Sequence, residues 1–359
     1  MKLTCRVRFE SGFRRHILLL TLLTTLIGSC LTAVSCLDAL ADTQAKPTSQ
    51  GEVLPTWREG KAKQSILDFV HAVTTPGPEF VKEEERIAVF DNDGTLWCES
   101  PFYPQLQFAI DRAKVLVVDK PSLAEIPSVA AAVKGDSQAL VATGSKGAIE
   151  LIGVTHCGMS TQQFDRIASQ WIAGAKQPRF NRPYTECVYQ PMIELLAYLR
   201  QNNFKTYIVS GGGVELMRTF SEKVYGIAPE QVIGSSCKLQ FEMVNGKPVI
   251  MRLPEIHFID DKDGKPVGIH EYIGRRPIAA FGNSDGDLAM LQYTCLSEPK
   301  KPSLGLIVHH TDAAREYAYD RDSSIGRLDK ALDEAKTHGW TVVDMKNDWK
   351  KVFAFDGKP

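Results

Sequence analysis

Three short apolar runs, each followed at once by a polar or glycine-rich loop, restrict the folds open to this chain. The runs are residues 87–90, 207–209 and 278–281, and the loops after them read DNDG, SGGG and GNSDGD. A fourth run, 304–308, also ends in polar residues. Buried strands that alternate with loops and helices are typical of a parallel sheet with crossover helices. We therefore predict an α/β fold, a Rossmann-like parallel sheet with flanking helices.

The pattern turns helical between the first and second of these runs. Residues 97–186 contain amphipathic stretches interrupted by proline and glycine, and Ser160-x-x-Gln163 is typical of a capping box at a helix start. We expect an inserted helical cap domain at 97–186. It divides the core into a first part, 61–96, and a second part, 187–359.

The charge of the chain is balanced, with 42 Lys and Arg against 43 Asp and Glu and a net charge of −1. Proteins that bind a nucleic-acid backbone carry a clear excess of basic residues. We therefore predict no nucleic-acid partner. The sequence leaves the oligomeric state open.

The N-terminus has the three parts of an export signal. Basic residues crowd the first fifteen positions, an apolar stretch covers 17–37, and Ala39-Leu40-Ala41 is a small-residue cleavage pattern. We predict a signal peptide at 1–41, a polar tether at 42–60, and a periplasmic or secreted protein. Cys30 and Cys36 also fit a lipoprotein site, and the apolar stretch is long enough to span a bilayer. Contact with a membrane is expected only through the signal, a lipid anchor or an uncleaved N-terminal helix.

Five of the eight cysteines lie beyond residue 41, and none belongs to a C-x-x-C pair. A zinc cage is therefore not expected. An odd number leaves at least one thiol without an intrachain partner. Export permits a disulfide, but the sequence leaves its pairing open.

Oxygen-bearing side chains follow three of the predicted strands. Asp91 and Asp93 come after the first, Ser210 after the second, and Asn283 and Asp287 after the third. Ligands of an open parallel sheet bind at the carboxyl ends of the strands, so these groups are expected to share one crevice. Clustered carboxylate and amide oxygens suit Mg²⁺, and a glycine-rich helix start suits an anion. We therefore interpret the crevice as a site that binds a metal and a phosphate and carries a carboxylate nucleophile.

Four segments in order resemble the motifs of the haloacid dehalogenase-like (HAD) superfamily. IAVFDNDGT is similar to the first motif, IVSGGG to the second, and IAAFGNSDGDLAML to the fourth. Lys265 stands where the third-motif lysine belongs. The insert resembles the type-one cap of phosphoserine phosphatases and related acid phosphatases. Asp93, which dehalogenating members lack, favours phosphoryl transfer.

The resemblance implies a role for each motif residue. Asp91 would attack phosphorus and form an aspartyl-phosphate, and Asp93 would act as general acid and then general base. The substrate would be a small phosphomonoester. Phosphate contacts are implied for Thr95, Ser210, Gly211, Gly212 and Lys265, and Mg²⁺ ligands for Asp91, Asp93, Asn283 and Asp287.

The chain departs from the family pattern in two places. Asn283 replaces the usual aspartate at the head of the fourth motif, which removes a charge from the metal site. Glu99 lies near the substrate-binding acid of phosphoserine phosphatases, but one residue out of step, which argues against phosphoserine itself. Asp285 has no fixed counterpart in the motif.

Two other functions remain open at this stage. One is a phosphotransferase that passes the phosphoryl group to an alcohol instead of water. The other is an exported phosphate-ester-binding protein without turnover. We also interpret the stretch 261–264 as a hairpin turn. The two histidines at 309–310 are interpreted as surface or capping residues, with a position at the edge of the site as the alternative.

Overall fold

The structure is a computed structural model and describes residues 52–357. The predicted signal peptide, 1–41, and the first part of the predicted tether lie outside the described residues. No helix within 52–357 is long and apolar enough to cross a membrane.

Eleven strands, thirteen α-helices and five short 3₁₀ helices are present in the described part of the chain. The strands are β1 (Ile87–Phe90), β2 (Met159–Ser160), β3 (Lys176–Gln177), β4 (Arg182–Pro183), β5 (Lys205–Gly213), β6 (Val232–Val244), β7 (Lys247–Phe258), β8 (Ala279–Gly282), β9 (Leu304–Thr311), β10 (Ala318–Tyr319) and β11 (Thr341–Asp344). The helices are α1 (Lys61–Thr74), α2 (Pro104–Asp119), α3 (Pro127–Lys134), α4 (Ser137–Ala142), α5 (Gly144–His156), α6 (Thr161–Gly174), α7 (Gln190–Gln201), α8 (Val214–Arg218), α9 (Ser221–Tyr225), α10 (Gly264–Ile273), α11 (Leu288–Cys295), α12 (Lys330–His338) and α13 (Met345–Asp348).

The central sheet is parallel around β1, as predicted. Strand β1 pairs with β5 on one side and β8 on the other, and β6, β9 and β11 extend the sheet in the same direction. All four residues of β1 and of β8 are buried, because helices cover both faces. The carboxyl ends of β1, β5 and β8 therefore meet at one edge of the sheet. The predicted α/β fold is confirmed.

The sequence analysis missed a long hairpin formed by β6 and β7. These strands pair antiparallel, and β7 also pairs with β2 of the insert. The turn between them is Asn245-Gly246, and both residues have positive φ. Asn-Gly between alternating apolar residues is a strong signal for a two-residue hairpin turn, so the sequence did contain the information.

Residues 104–174 form the helices α2 to α6. Five buried side chains make a separate small core there: Ala109, Ala113, Val129, Ala132 and Leu151. The capping box predicted at the start of α6 is present, because Gln163 N donates to Ser160 Oγ at 3.2 Å and Ser160 N donates to Gln163 Oε1 at 2.9 Å. A second apolar cluster, with Phe108 and Phe164 of the insert and Leu216 of α8, joins the insert to the core.

Two predicted loop segments differ from the structure. Residues 52–60 of the predicted tether pack on the core, where Leu54 and Trp57 are buried. The Trp57 ring contacts Trp349 edge-on, and its Nε1 donates to Pro191 O at 3.0 Å. The predicted hairpin turn at 261–264 instead leads into α10. Both segments look polar in sequence. The contacts that order 52–60 come from distant parts of the chain, whereas the bonds from Gly264 N to Asp261 O and from Lys265 N to Lys262 O are local and lead into the helix.

Trp57→Ala should lower the free energy of unfolding by about 3–5 kcal/mol, because it removes a fully buried indole between two core segments. Val53→Ala, at an exposed neighbour, should change it by less than about 0.5 kcal/mol. Urea denaturation of both variants measures the difference. Equal stability of the two would show that the segment 52–60 does not anchor the fold.

Candidate active site

Lys265 connects the three strand ends. It lies in the first turn of α10, it is buried, and its Nζ has three acceptors. Nζ donates to Asp91 Oδ1 after β1 at 2.7 Å, to Val209 O of β5 at 2.9 Å, and to Asp287 Oδ1 after β8 at 2.6 Å. The structure thus brings together first-, second-, third- and fourth-motif residues, as the sequence predicts.

The crevice holds more negative charge than Lys265 can balance. Asp91, Asp93, Glu99 and Asp287 are all buried or partly buried around it. Burial raises the pKa of Asp91 well above its usual value, and the Asp287 charge adds to this. Burial also raises the pKa of Asp93 and of Glu99. Burial alone would lower the pKa of Lys265, but the carboxylates of Asp287 and Asp91 outweigh it and raise that pKa.

Asp93 is oriented by a tryptophan. Trp97 Nε1 donates to Asp93 Oδ1 at 2.8 Å. The other oxygen, Oδ2, lies on the side of Gly212, where a Cβ on that glycine would be 3.5 Å from it. One carboxyl oxygen of Asp93 is therefore held, and the other faces the loop after β5.

The loop after β5 forms a small cradle. Gly212 N donates to Ser210 Oγ at 3.2 Å, which keeps this hydroxyl inside the loop. Gly213 N donates to Oε1 of Gln105, at the start of α2 in the insert. The insert therefore contacts the predicted phosphate-binding loop directly. Sequence reasoning missed Gln105, because nothing in the local pattern links it to a loop more than a hundred residues away.

Asn283 is held by side chains from the segment after β1. Its Nδ2 donates to Glu99 Oε1 at 2.8 Å, and its Oδ1 accepts from Thr95 Oγ1 at 3.1 Å. Tyr319 OH also donates to Glu99 Oε1, at 2.7 Å. Thr95 was predicted to contact phosphate, but its hydroxyl bonds to Asn283. The carboxylate that the fourth motif lacks is therefore present beside it, on Glu99.

Both oxygens of Asp287 are already engaged. Oδ1 accepts from Lys265, and Oδ2 accepts from the backbone amides of Asn283 at 2.9 Å and Ser284 at 3.0 Å. Asp287 therefore positions Lys265 and the loop, and its role as a metal ligand stays a prediction. Asp285 Oδ1 accepts from the amides of Asp329 and Ala331 and so caps α12.

His310 is buried beside the first motif, at the edge of the site. Its Nε2 lies 2.8 Å from Gly94 O, and its Nδ1 lies 3.0 Å from Glu316 Oε2. Glu316 Oε1 also accepts from Tyr189 OH and Cys98 Sγ. These contacts place the His310 ring between Glu316 and the carbonyl that lies between Asp93 and Thr95.

The donor set of the crevice fits a divalent cation with a preference for oxygen. Asp91, Asp93 and Asn283 supply hard oxygen atoms, and a cation would offset part of the buried negative charge. Within residues 52–357, no three His, Cys, Asp or Glu side chains are grouped to hold a metal by themselves.

A cavity of about 180 Å³ lies beside the loop after β5. Its walls come from the insert (Gln105, Phe164), the loop (Gly211, Gly213) and the hairpin (Ile256). Its size suits about one aromatic ring, since a cavity of about 150 Å³ can bind benzene. Its position, between insert and core, makes it a candidate pocket for a substrate's leaving group.

Comparisons with known proteins agree with this architecture. The sequence profile of the haloacid dehalogenase-like hydrolase family matches residues 88–292. None of the curated proteins is significantly similar in sequence.

Several solved structures match this chain. A conserved, functionally unknown protein from Anaerococcus prevotii DSM 20548 is 15% identical, with 78% of this chain and 91% of that chain covered and a TM-score of 0.50. At this identity the match bears on the fold alone. A protein with unknown function from Bordetella pertussis Tohama I is 14% identical, with 73% and 99% covered and a TM-score of 0.46. A phosphoserine phosphohydrolase-like protein from Francisella tularensis subsp. tularensis SCHU S4 is 15% identical, with 62% and 87% covered and a TM-score of 0.32.

Substitutions that exchange the acid and the amide of the Glu99–Asn283 pair should have strongly coupled effects on the free energy of unfolding. Asn283→Asp removes the donor and sets two carboxylates against each other, so it should cost about 1–3 kcal/mol of stability. Glu99→Gln in the same chain supplies a new amide donor and should recover most of that loss. Urea denaturation in EDTA of both single variants and the double variant measures the coupling. Additive effects within about 0.5 kcal/mol would contradict the pairing.

Asp260→Asn should change how stability depends on pH. Asp260 is fully buried behind Lys265, and burial raises its pKa to about 7, from about 3.9 in an unfolded chain. The wild type therefore binds this proton more tightly when folded, and it loses that stability as the pH rises through about 7. Relative to the variant, it should lose on the order of 2–4 kcal/mol between pH 4 and pH 8. A difference in free energy of unfolding that stays constant over this range would contradict the raised pKa.

Proposed function

Because the chain belongs to the haloacid dehalogenase-like hydrolase family, we propose that it hydrolyses a small phosphomonoester through an aspartyl-phosphate on Asp91. The observation that carries the proposal is the contact of Lys265 with Asp91, Val209 and Asp287. This arrangement sets a nucleophilic carboxylate, a cation and the glycine-rich loop around one point at the edge of the sheet.

Asp91 supplies the attacking oxygen. Lys265 engages Oδ1, so we assign Oδ2 to the attack on phosphorus. A bond forms between Oδ2 and phosphorus while the bond between phosphorus and the leaving alcohol oxygen breaks. The Lys265 charge offsets the negative charge on the phosphoryl oxygens. The amides of Gly212 and Gly213 already donate to Ser210 Oγ and Gln105, so the Ser210 hydroxyl is the loop group proposed to donate to a phosphoryl oxygen.

Asp93 moves the proton in both half-reactions. Burial raises its pKa, which favours the protonated acid needed to donate to the leaving oxygen. In the second half-reaction the carboxylate accepts a proton from water as water attacks phosphorus and phosphate leaves Asp91. The bond from Trp97 Nε1 to Oδ1 keeps Oδ2 aimed at the substrate in both steps.

Mg²⁺ is part of the proposal. The groups that would hold it are the Asp91 carboxylate, the backbone carbonyl of Asp93, and the fourth-motif residues Asn283 and Asp287. When bound, it would offset charge on the phosphate and on the buried carboxylates. Glu99 accepts from Asn283 Nδ2, and the amide oxygen, Oδ1, accepts one hydrogen bond from Thr95 and keeps a second lone pair for a metal ion. A carboxylate behind a ligand orients that ligand and makes it a better donor. Asn283 with Glu99 would thus replace the charged residue usual at this position.

The leaving group of the substrate is proposed to occupy the cavity between insert and core. The cavity admits one small ring or a short branched chain and is lined in part by apolar side chains. Glu99 is held by Asn283 and Tyr319, which makes it unsuitable as a free acid for a substrate amine. A compact apolar leaving group therefore fits better than phosphoserine.

Export through the N-terminal 41 residues also belongs to the proposal. Its support is the order of basic, apolar and small residues in the sequence. Mass measurement of the protein recovered from a periplasmic fraction tests it. A new N-terminus at residue 42 is expected, whereas retention of Met1 in the cytoplasm would contradict it.

Asp91→Asn should lower turnover of phenyl phosphate by at least about 10³-fold, because the amide cannot form the acyl phosphate. Phosphate release should also require Mg²⁺ and stop in EDTA. Asp68→Asn, at an exposed position on α1, is the matched control and should keep full activity.

Other outcomes separate the alternative functions. Product transfer to added alcohols in excess of phosphate release would identify a phosphotransferase. Binding of phosphate esters by the folded protein with no turnover under any condition would identify a binding protein and contradict the proposal.

A further inference from the structure

Two buried thiols from distant segments meet beside the insert. Cys157 directly follows α5, and Cys237 lies in β6 of the hairpin. Their Sγ atoms are 3.2 Å apart, although the residues are 80 positions apart in sequence. The strand β7 holds the two segments together. It pairs with β6 and with β2, and β2 begins two residues after Cys157.

We propose that Cys157 and Cys237 form a disulfide that joins the insert to the hairpin, with a small-molecule or protein disulfide as the oxidant. The pair is independent of the catalytic proposal, because neither thiol contacts the acidic residues around Lys265. It also answers the pairing question that the sequence left open.

The surroundings make the two thiols unequal. Arg252 of β7 donates from Nη2 to Cys237 Sγ at 3.6 Å and from Nε to the His156 carbonyl at 2.7 Å. The hydrogen bond between the two thiols and the Arg252 charge lower the pKa of Cys157 to about 7. The same hydrogen bond, together with burial, raises the pKa of Cys237. Cys157 also lines a cavity with Arg112 and Arg166, so we assign it as the nucleophile and Cys237 as the thiol that resolves the intermediate.

The oxidation balances as a thiol–disulfide exchange. The Cys157 thiolate attacks one sulfur of the oxidant RSSR, the S–S bond breaks, and RS⁻ leaves and takes up a proton as RSH. Cys237 then loses its proton and attacks Cys157 Sγ, and the second RSH leaves. The two protein thiols are oxidised, and one RSSR is reduced to two RSH.

Each thiol is reached from a different side. Cys157 lines a cavity of about 540 Å³, together with Arg112 and Arg166 of the insert. These cations suit an anionic oxidant such as oxidised glutathione. Cys237 lines the cavity of about 180 Å³ that also borders Gly211 of the loop after β5. The bond would hold two walls of the proposed leaving-group cavity at a fixed separation.

The remaining cysteines of the described chain differ from this pair in their pKa values. Cys98 and Cys187 are also neighbours, since Cys98 N donates to Cys187 O at 3.0 Å. Burial raises the pKa of Cys98, and it raises those of Cys187 and Cys295 to about 12. Such thiols hold little thiolate at neutral pH and react slowly with disulfides. Cys295→Ser is therefore the matched control for the two proposed partners.

The test compares the full chain after incubation with dithiothreitol and with oxidised glutathione. Free thiols are alkylated, the protein is digested without reduction, and linked peptides are identified by mass spectrometry. We expect one linked pair, Cys157–Cys237, and alkylated Cys98, Cys187 and Cys295. The oxidised protein should also melt at least about 5 °C above the reduced protein, because the bond closes a long loop.

The variants complete the design. Cys157→Ser and Cys237→Ser should each abolish the oxidant-dependent rise in Tm, and Cys295→Ser should keep it. None of these measurements requires turnover, so their outcome does not depend on whether the protein is an active phosphatase. A lasting mixed disulfide with glutathione, alkylation of both residues after oxidation, or an unchanged Tm would overturn the proposal.

Discussion

The contact of one buried lysine with three strand ends is the interaction on which the rest of the site depends. Lys265 Nζ reaches Asp91, Val209 and Asp287, which belong to different parts of the central sheet. A buried ammonium group is tolerated only when its partners are well placed, and loss of one partner is costly. The lysine thus ties the orientation of α10 to the carboxyl ends of β1, β5 and β8, and any change in that sheet edge alters the charge balance of the crevice.

The buried acids follow from the same constraint. Asp91 and Asp93 face inward after β1, and Glu99 lies behind Asn283, so that negative charge exceeds positive charge. Their pKa values are raised because burial and the neighbouring carboxylates make the ionised forms less favourable. A phosphatase that handles a charged ester needs cations at this place, and a site already short of positive charge is suited to receive one.

Much of the fold could be predicted because local patterns determine it. Continuous apolar runs indicated β1, β5, β8 and β9, and the loops after them held the residues that now surround Lys265. The rest depends on contacts far apart in sequence. Nothing near Trp57 predicts its packing on Trp349, and nothing near Gln105 predicts its bond to Gly213. The hairpin was an avoidable omission, since Asn245-Gly246 is a strong turn signal.

The most direct test of the central claim is detection of phosphate on Asp91 itself. Protein mixed with substrate and Mg²⁺ is quenched in acid during the first turnovers and treated with borohydride, which reduces an acyl phosphate to an alcohol. Peptide mass spectrometry then locates the reduced residue. The account predicts conversion of Asp91 to homoserine only when substrate was present. Phosphate release with an unmodified Asp91 throughout the quench series would contradict it.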